Sequence, residues 1–125
     1  MCAESSARRL LVLDHVTGLV STFAGNGSIG LGYDGVSATT VALSAPVACS
    51  VDWTTQDVYI ADGNRVLLVS RDSLKRTTVA GTGVSGFSGD GFLGPTSSLW
   101  APLGVLAVTA TGATKVFIAG EYSSW

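Results

Sequence analysis

The chain repeats itself, and that self-similarity restricts its fold more than any other feature. Sliding the sequence by 56 residues places Arg9 on Arg65, Leu11 on Leu67 and Thr22 on Thr78. The same shift superimposes Ala24-Gly25 on Ala80-Gly81, Gly27 on Gly83, Gly30 on Gly86 and Asp34-Gly35 on Asp90-Gly91. Thr40, Leu43 and Ala45-Pro46 then fall on Thr96, Leu99 and Ala101-Pro102, giving 13 identities in the 38 columns from Arg9 to Pro46 without a gap. Further on, Val58-Tyr59-Ile60-Ala61 matches Val116-Phe117-Ile118-Ala119 at a shift of 58, so the second copy is expected to carry a loop two residues longer. A period of this length means that one supersecondary unit is used more than once, each copy covering its neighbour's apolar face.

Within one period the pattern predicts four short strands, at residues 46–52, 58–61, 65–70 and 77–80. The second is a compact β-branched and aromatic run, and Asp62-Gly63-Asn64 after it supplies residues that tolerate positive φ in a tight turn. No 3.6-residue apolar period appears, and no capping signal precedes an apolar face. Four strands per repeat in an up-and-down meander make the blade of a β-propeller. Composition agrees: 16 glycines and only 13 % charged residues suit short strands joined by glycine turns and argue against disorder.

Several segments taken together resemble a known family. Val79-Ala80-Gly81-Thr82-Gly83, Gly86-Phe87-Ser88-Gly89-Asp90-Gly91, Leu99, Ala101-Pro102 and Val116-Phe117-Ile118-Ala119 look like one NHL repeat in its long-loop form. Tyr59-Ile60-Ala61-Asp62 followed by Asn64-Arg65-Val66 supplies the corresponding strand and turn of the first copy. The resemblance covers residues 9–121. It departs from the family pattern at Gly30-Leu31-Gly32-Tyr33-Asp34-Gly35, which lacks the phenylalanine-serine pair, and at Gly120-Glu121, where aspartate is usual. The resemblance implies a propeller that binds proteins more often than it catalyses, an analogy at the level of the fold.

Strand counting yields an incomplete β-propeller of about two blade equivalents, each a four-stranded antiparallel meander, in an all-β chain. Residues 1–8 are expected to be disordered, and 9–24 to form half a blade, its third and fourth strands. Residues 25–44 form an inter-blade loop, 45–81 a complete blade, 82–101 a second loop, and 102–125 another half blade, its first and second strands. Two blades do not close a ring of roughly four to eight. Further blades of the same protein, or self-association of about three copies, would be needed to close it.

In a meander the inter-blade connection and the turn between strands two and three leave the sheet at the same end. Asp34, Gly35, Asp62, Asn64, Asp90, Gly91 and Glu121 are therefore expected on one mildly acidic, glycine-rich face. Loops of this kind on a rigid scaffold carry recognition, and a protein or peptide ligand is expected there. The other end carries Asp14-His15, Trp53 to Asp57, and Arg71 to Arg76; His15 and the charged Arg71–Arg76 loop read as solvated, while Trp100 is expected to pack between blades.

The residues give chemistry little to work with. His15 is the single histidine, no metal-ligand spacing occurs, and Ser88-Gly89-Asp90-Gly91 lacks the alternating oxygen ligands of a calcium loop. No Gly-x-Ser-x-Gly elbow and no phosphate-binding glycine loop is present. No catalytic residue, metal or cofactor is expected, and the reading is a non-enzymatic binding or scaffolding module. The alternative is a fragment of a propeller enzyme, a metal-dependent lyase or hydrolase whose ligands lie in other blades. A net charge of -2 without a basic stripe argues against nucleic acid. No run approaches the roughly 20 apolar residues of a membrane span, so the segment reads as soluble. Of the two cysteines, Cys49 reads as a small buried hydrophobe in its strand, with a disulfide to Cys2 left open.

Overall fold

The computed structural model describes the chain except residues 1, 6–7, 85, 87–90, 92, 100–101 and 121–125, and describes residues 2–5 and 120 by backbone alone. Asp90, Glu121, Trp100 and the Phe87-Ser88 pair thus lie outside the described residues. The rest is all-β. Strands β1 (Cys2–Ser5), β2 (Arg9–Leu13) and β3 (Val20–Ala24) form one sheet. A second contains β4 (Pro46–Val51), β5 (Val58–Asp62), β6 (Arg65–Val69) and β7 (Arg76–Ala80), and a third contains β8 (Pro102–Ala110) and β9 (Ala113–Gly120). Every pair is antiparallel and every neighbour in space is a neighbour in sequence, the meander that four strands per repeat predicted.

Two expectations are corrected. Residues 2–5, expected to be disordered, pair with β2 from Cys2↔Val12 to Ser5↔Arg9, because β2 otherwise leaves a row of unpaired backbone groups on that side. The second correction concerns the two extra residues of the last sheet. They do not lengthen a loop but extend the hairpin itself. Ladder pairs run to Ala110↔Ala113, and Thr111 and Gly112 turn the chain at φ +52 and +78. Positive φ at both central residues gives a turn whose twist matches the strands.

The sheets stack face to face, and the middle one is covered on both sides. Side chains alternate across a strand. Val58, Ile60, Leu67 and Val69 point to the first sheet and pack with Leu10, Ala24, Ala38 and Leu43. Tyr59 and Val66 point the other way, toward Ala107, Val105, Val116 and Ile118 of the last sheet. Burial on both faces explains why 58–61 and 66–69 are unbroken apolar runs instead of alternating ones. Full burial of each such side chain contributes about 1.5–3 kcal/mol, so the middle sheet is the energetic centre of the chain.

Cys49 is half-buried and disulfide-bonded, so the reading of it as a plain hydrophobe is corrected. The other cysteine of the chain, Cys2, stands in β1, whose backbone runs close to β4.

Three hairpins share one turn design. Asp14, Asp52 and Ser70 each accept a backbone hydrogen bond from the residue four positions on, and each donates to the carbonyl of the residue five positions on. The residue two positions before the second strand takes positive φ in every case: Gly18 at +72, Gln56 at +63 and Leu74 at +56. Only the first of these is a residue that adopts that conformation without strain.

Candidate functional site

The acidic residues singled out by their loop positions are occupied in holding the loops. Asp62 closes β5 and is fully buried. One of its oxygens, Oδ1, accepts the Ala45 N–H at 2.8 Å. The other, Oδ2, accepts the Ser44 N–H at 3.0 Å together with Nε and Nη2 of Arg65 at 3.1 and 2.8 Å. A buried carboxylate needs such partners, and here they clamp the incoming connection onto the β5–β6 turn. Asn64, half-buried in that turn, sets its carbonyl against Gly81, where a side chain would collide with it.

Asp34 is half-exposed and accepts the Thr78 hydroxyl at 3.0 Å and Nη2 of Arg76 at 3.5 Å. Arg76 is the organiser of this region, with its side chain 1 % exposed. Its Nη1 donates to the Ala42 carbonyl at 2.9 Å and its Nη2 to the Leu31 carbonyl at 2.7 Å. Burial and the nearby Arg65 push its guanidinium below the usual value, while Asp34 and Asp62 oppose them. It remains a cation. One guanidinium therefore gathers both limbs of the 25–44 connection.

Of the face expected from the sequence, Asp34, Gly35, Asp62, Asn64 and Gly91 fall among the described residues, and the Arg76 guanidinium feels the charge of both Asp34 and Asp62. Gly35 donates its N–H to the Arg76 carbonyl, and Arg76 donates its own to Val36. Residues 34–38 thereby lie along the start of β7, where Ser37 bridges Lys75, and cover part of that sheet edge. The Asp62-Gly63-Asn64 turn sits at the other end of the same sheet, because β6 runs from Arg65 to Val69 and Val69 pairs with Arg76. The connection does not stay where it left the first sheet but runs down the next one. Gly35 and Gly91 are open to space at φ +78 and +88, and Asp90 and Glu121 lie outside the described residues.

At the Asp62 end, two connections approach each other. The Leu31 side chain lies against Gly83, so residues 26–31 and 82–84 meet there. Ile29, Leu31 and Val84 are exposed on these loops. Their backbone is tethered: Gly30 N–H donates to the Leu43 carbonyl, the Ser44 hydroxyl donates to the Gly30 carbonyl, and the Asn26 side chain accepts from Ser28 N–H. A small apolar surface thus rests on fixed loops.

A second feature lies at the opposite end of the middle sheet. A cleft of about 280 Å³ opens between the β4–β5 hairpin and β8, lined by Ser50, Asp52, Trp53, Leu106 and Thr109 among others. Trp53 stands at its rim, 85 % exposed. Asp52 accepts the Thr54 and Thr55 N–H groups on Oδ1 and the Thr109 hydroxyl on Oδ2. The Thr109 hydrogen bond holds the carboxyl below its usual range against the opposing effect of burial, and the two backbone bonds assist. Asp52 is a bolt between the second and third sheets. An Asp-x-x-Thr spacing, Asp14 to Thr17 and Asp52 to Thr55, is common to two of these turns, but nothing in the sequence pairs Asp52 with Thr109.

Among the described residues, no three His, Cys, Asp or Glu side chains are grouped so as to hold a metal ion. Nor is any helix there long and apolar enough to cross a membrane, which leaves β-barrels aside. The carboxylates of Asp34, Asp52 and Asp62 are committed to intramolecular bonds, and what the molecule offers a ligand is shape, backbone and exposed apolar side chains.

No protein family matches the chain, and no curated protein matches it. Among solved structures it is similar to a structural genomics protein of unknown function from Bacteroides thetaiotaomicron, with a TM-score of 0.71 and 18 % identity over 91 % of this chain. The chain spans 28 % of that protein's length, and the likeness concerns the fold alone. The observed architecture is an all-β stack of antiparallel sheets, arranged as incomplete propeller-like blades, that recurs as part of a longer structure.

Proposed function

We propose that the chain is a segment of an NHL-type β-propeller and that it works as a binding or scaffolding module, taking a protein or peptide on the loops of one face. The observation that carries this reading is the tethered apolar surface of Ile29, Leu31 and Val84 beside the Asp62–Asn64 turn. Loops held by backbone hydrogen bonds lose little freedom on binding, which favours recognition of an extended partner with apolar side chains. Asp62 and Arg65 contribute by holding that surface still and not by touching the ligand.

Selection of a random peptide library on the immobilised chain tests this. Enriched peptides should carry apolar residues, and Leu31→Ser with Val84→Ser should weaken them by about tenfold or more, the equivalent of ~1.4 kcal/mol. Circular dichroism of the double variant should match the parent. A selection without enrichment, or one whose peptides bind the double variant equally well, overturns the proposal.

A further inference from the structure

Nothing in the shared hairpin turn calls for a tryptophan. The position after the first turn residue is His15 in one hairpin, Arg71 in another and Trp53 in the third. Trp53 nevertheless stands 85 % exposed at the rim of the cleft. An indole ordinarily buries about 150–250 Å², so leaving it in water is costly unless a ligand covers it.

Asp52, which lines the same cleft, differs from the other two acids. Asp62 is paired with Arg65, and Asp34 with Arg76. Asp52 is 1 % exposed, and its partners are the Thr54 and Thr55 N–H groups and the Thr109 hydroxyl, all neutral. These bonds satisfy its oxygens but do not cancel its charge, and among the described residues no cation pairs with it. A buried charge is ordinarily matched by an opposite one. Its field is felt nearby: after burial itself, the charges of Asp57 and Asp52 push the Tyr59 hydroxyl above its usual range. Asp57 ends the same turn, so both charges belong to the hairpin that carries Trp53.

We propose that the cleft receives an arginine side chain from a peptide or protein partner, its guanidinium stacked on the Trp53 indole and drawn by the Asp52 charge. A guanidinium is planar, weakly hydrated and attracted to an aromatic face, and it pairs with carboxylates at partly buried sites. Asp52 keeps its three hydrogen bonds and acts through its charge, while the indole supplies the contact. The cleft, about 280 Å³, lies at the small end of the roughly 300–1,000 Å³ of ligand sites and has room for one side chain. It opens between two packed sheets, the β4–β5 hairpin forming one wall and β8 the other, and not on an outer face. It is also at the opposite end of the middle sheet from Ile29, Leu31 and Val84, and neither reading rests on the other.

Titration of the full chain with N-acetyl-arginine methylamide, followed by the Thr54 and Thr55 amide resonances, tests this. Both signals should shift and saturate. The citrulline analogue, similar in shape but neutral, should bind about tenfold more weakly or worse. Trp53→Ala, at an exposed position, should also lower the affinity about tenfold with an unchanged circular dichroism spectrum. Asp52→Asn keeps an acceptor for the turn amides but removes the charge, and should bring the arginine probe down to the level of citrulline. If that variant unfolds, the citrulline and Trp53→Ala arms decide. No saturable shift overturns the proposal, and so does equal binding of the two probes or a Trp53→Ala variant that binds as the parent does. A methyl glucoside that shifts these resonances where the arginine probe does not also overturns it, and assigns the indole to a sugar.

Discussion

Strands β5 and β9 have nearly the same sequence and opposite circumstances. Val58-Tyr59-Ile60-Ala61 is buried at every position, whereas Val116 and Ile118 are half-buried and Phe117 and Ala119 are exposed. Both are second strands of a sheet, both pair with the preceding strand, and both show the same bulge near its proline, at Pro46/Ala48 and Pro102/Gly104. The difference lies in what surrounds them. β5 has sheets on both faces and a neighbour on each edge, while among the described residues β9 has one covered face and one partner strand. Burial is thus conferred by neighbours, and an apolar run marks only the capacity to be buried.

The sharpest way to break that comparison is at the strand end, where β5 has Asp62 and β9 has Gly120. Asp62→Ala leaves the Arg65 guanidinium, which is 5 % exposed, without its carboxylate and should cost about 3–5 kcal/mol in urea unfolding. A loss under about 1 kcal/mol would mean that the clamp is dispensable and that the two strand ends are equivalent. Next, Ile60→Ala and Ile118→Ala remove the same atoms from repeat-related sites. The first should cost about 2–5 kcal/mol and the second clearly less, because its surroundings already contact water. Equal losses would show that β9 is covered in solution.

A smaller effect is expected at the joint between the two sheets. Asp52 has a lowered pKa in the folded protein, so its contribution to stability is complete above the ordinary carboxylate range and is lost as pH falls through the folded value. Thr109→Val removes the main cause of that depression, and acid unfolding should then begin at a higher pH. An unchanged acid transition would sever the link between Asp52 and Thr109. The smallest effect concerns the shared hairpin turn. Leu74→Gly relieves a left-handed residue worth about 1–2 kcal/mol of strain and adds about 0.5–1 kcal/mol of unfolded-state entropy, a net gain of up to about 1 kcal/mol. The melting temperature should rise slightly, and a fall would show that Leu74 makes contacts that outweigh its backbone.

The strand plan was legible because β-branched runs and turn residues are local properties, and the repeat shows them twice. Residues 58–61 and 65–70 could be placed from their β-branched runs and from the Asp-Gly-Asn turn between them. The pairing of residues 2–5 was not legible, since an edge strand is recruited by open hydrogen bonds on its neighbour and not by its own sequence. The loops were legible as glycine-rich and acidic in sequence, yet the fate of each carboxylate was not. Asp62 meets Arg65 three residues away, but Asp34 meets Arg76 and Thr78 more than 40 residues away, and only folding brings those together. The apolar loop surface of Ile29, Leu31 and Val84 carried no signal for the same reason, because its two loops belong to different periods.

The amino-acid order alone determined that this chain makes short antiparallel strands in repeated units, since side-chain alternation and turn chemistry act over a few residues. Only the tertiary structure decided which identical-looking runs are core and which are surface, and which acids are clamps. Those outcomes depend on packing and hydrogen bonding between segments a full period apart, where water exclusion and a partner's position set the energy.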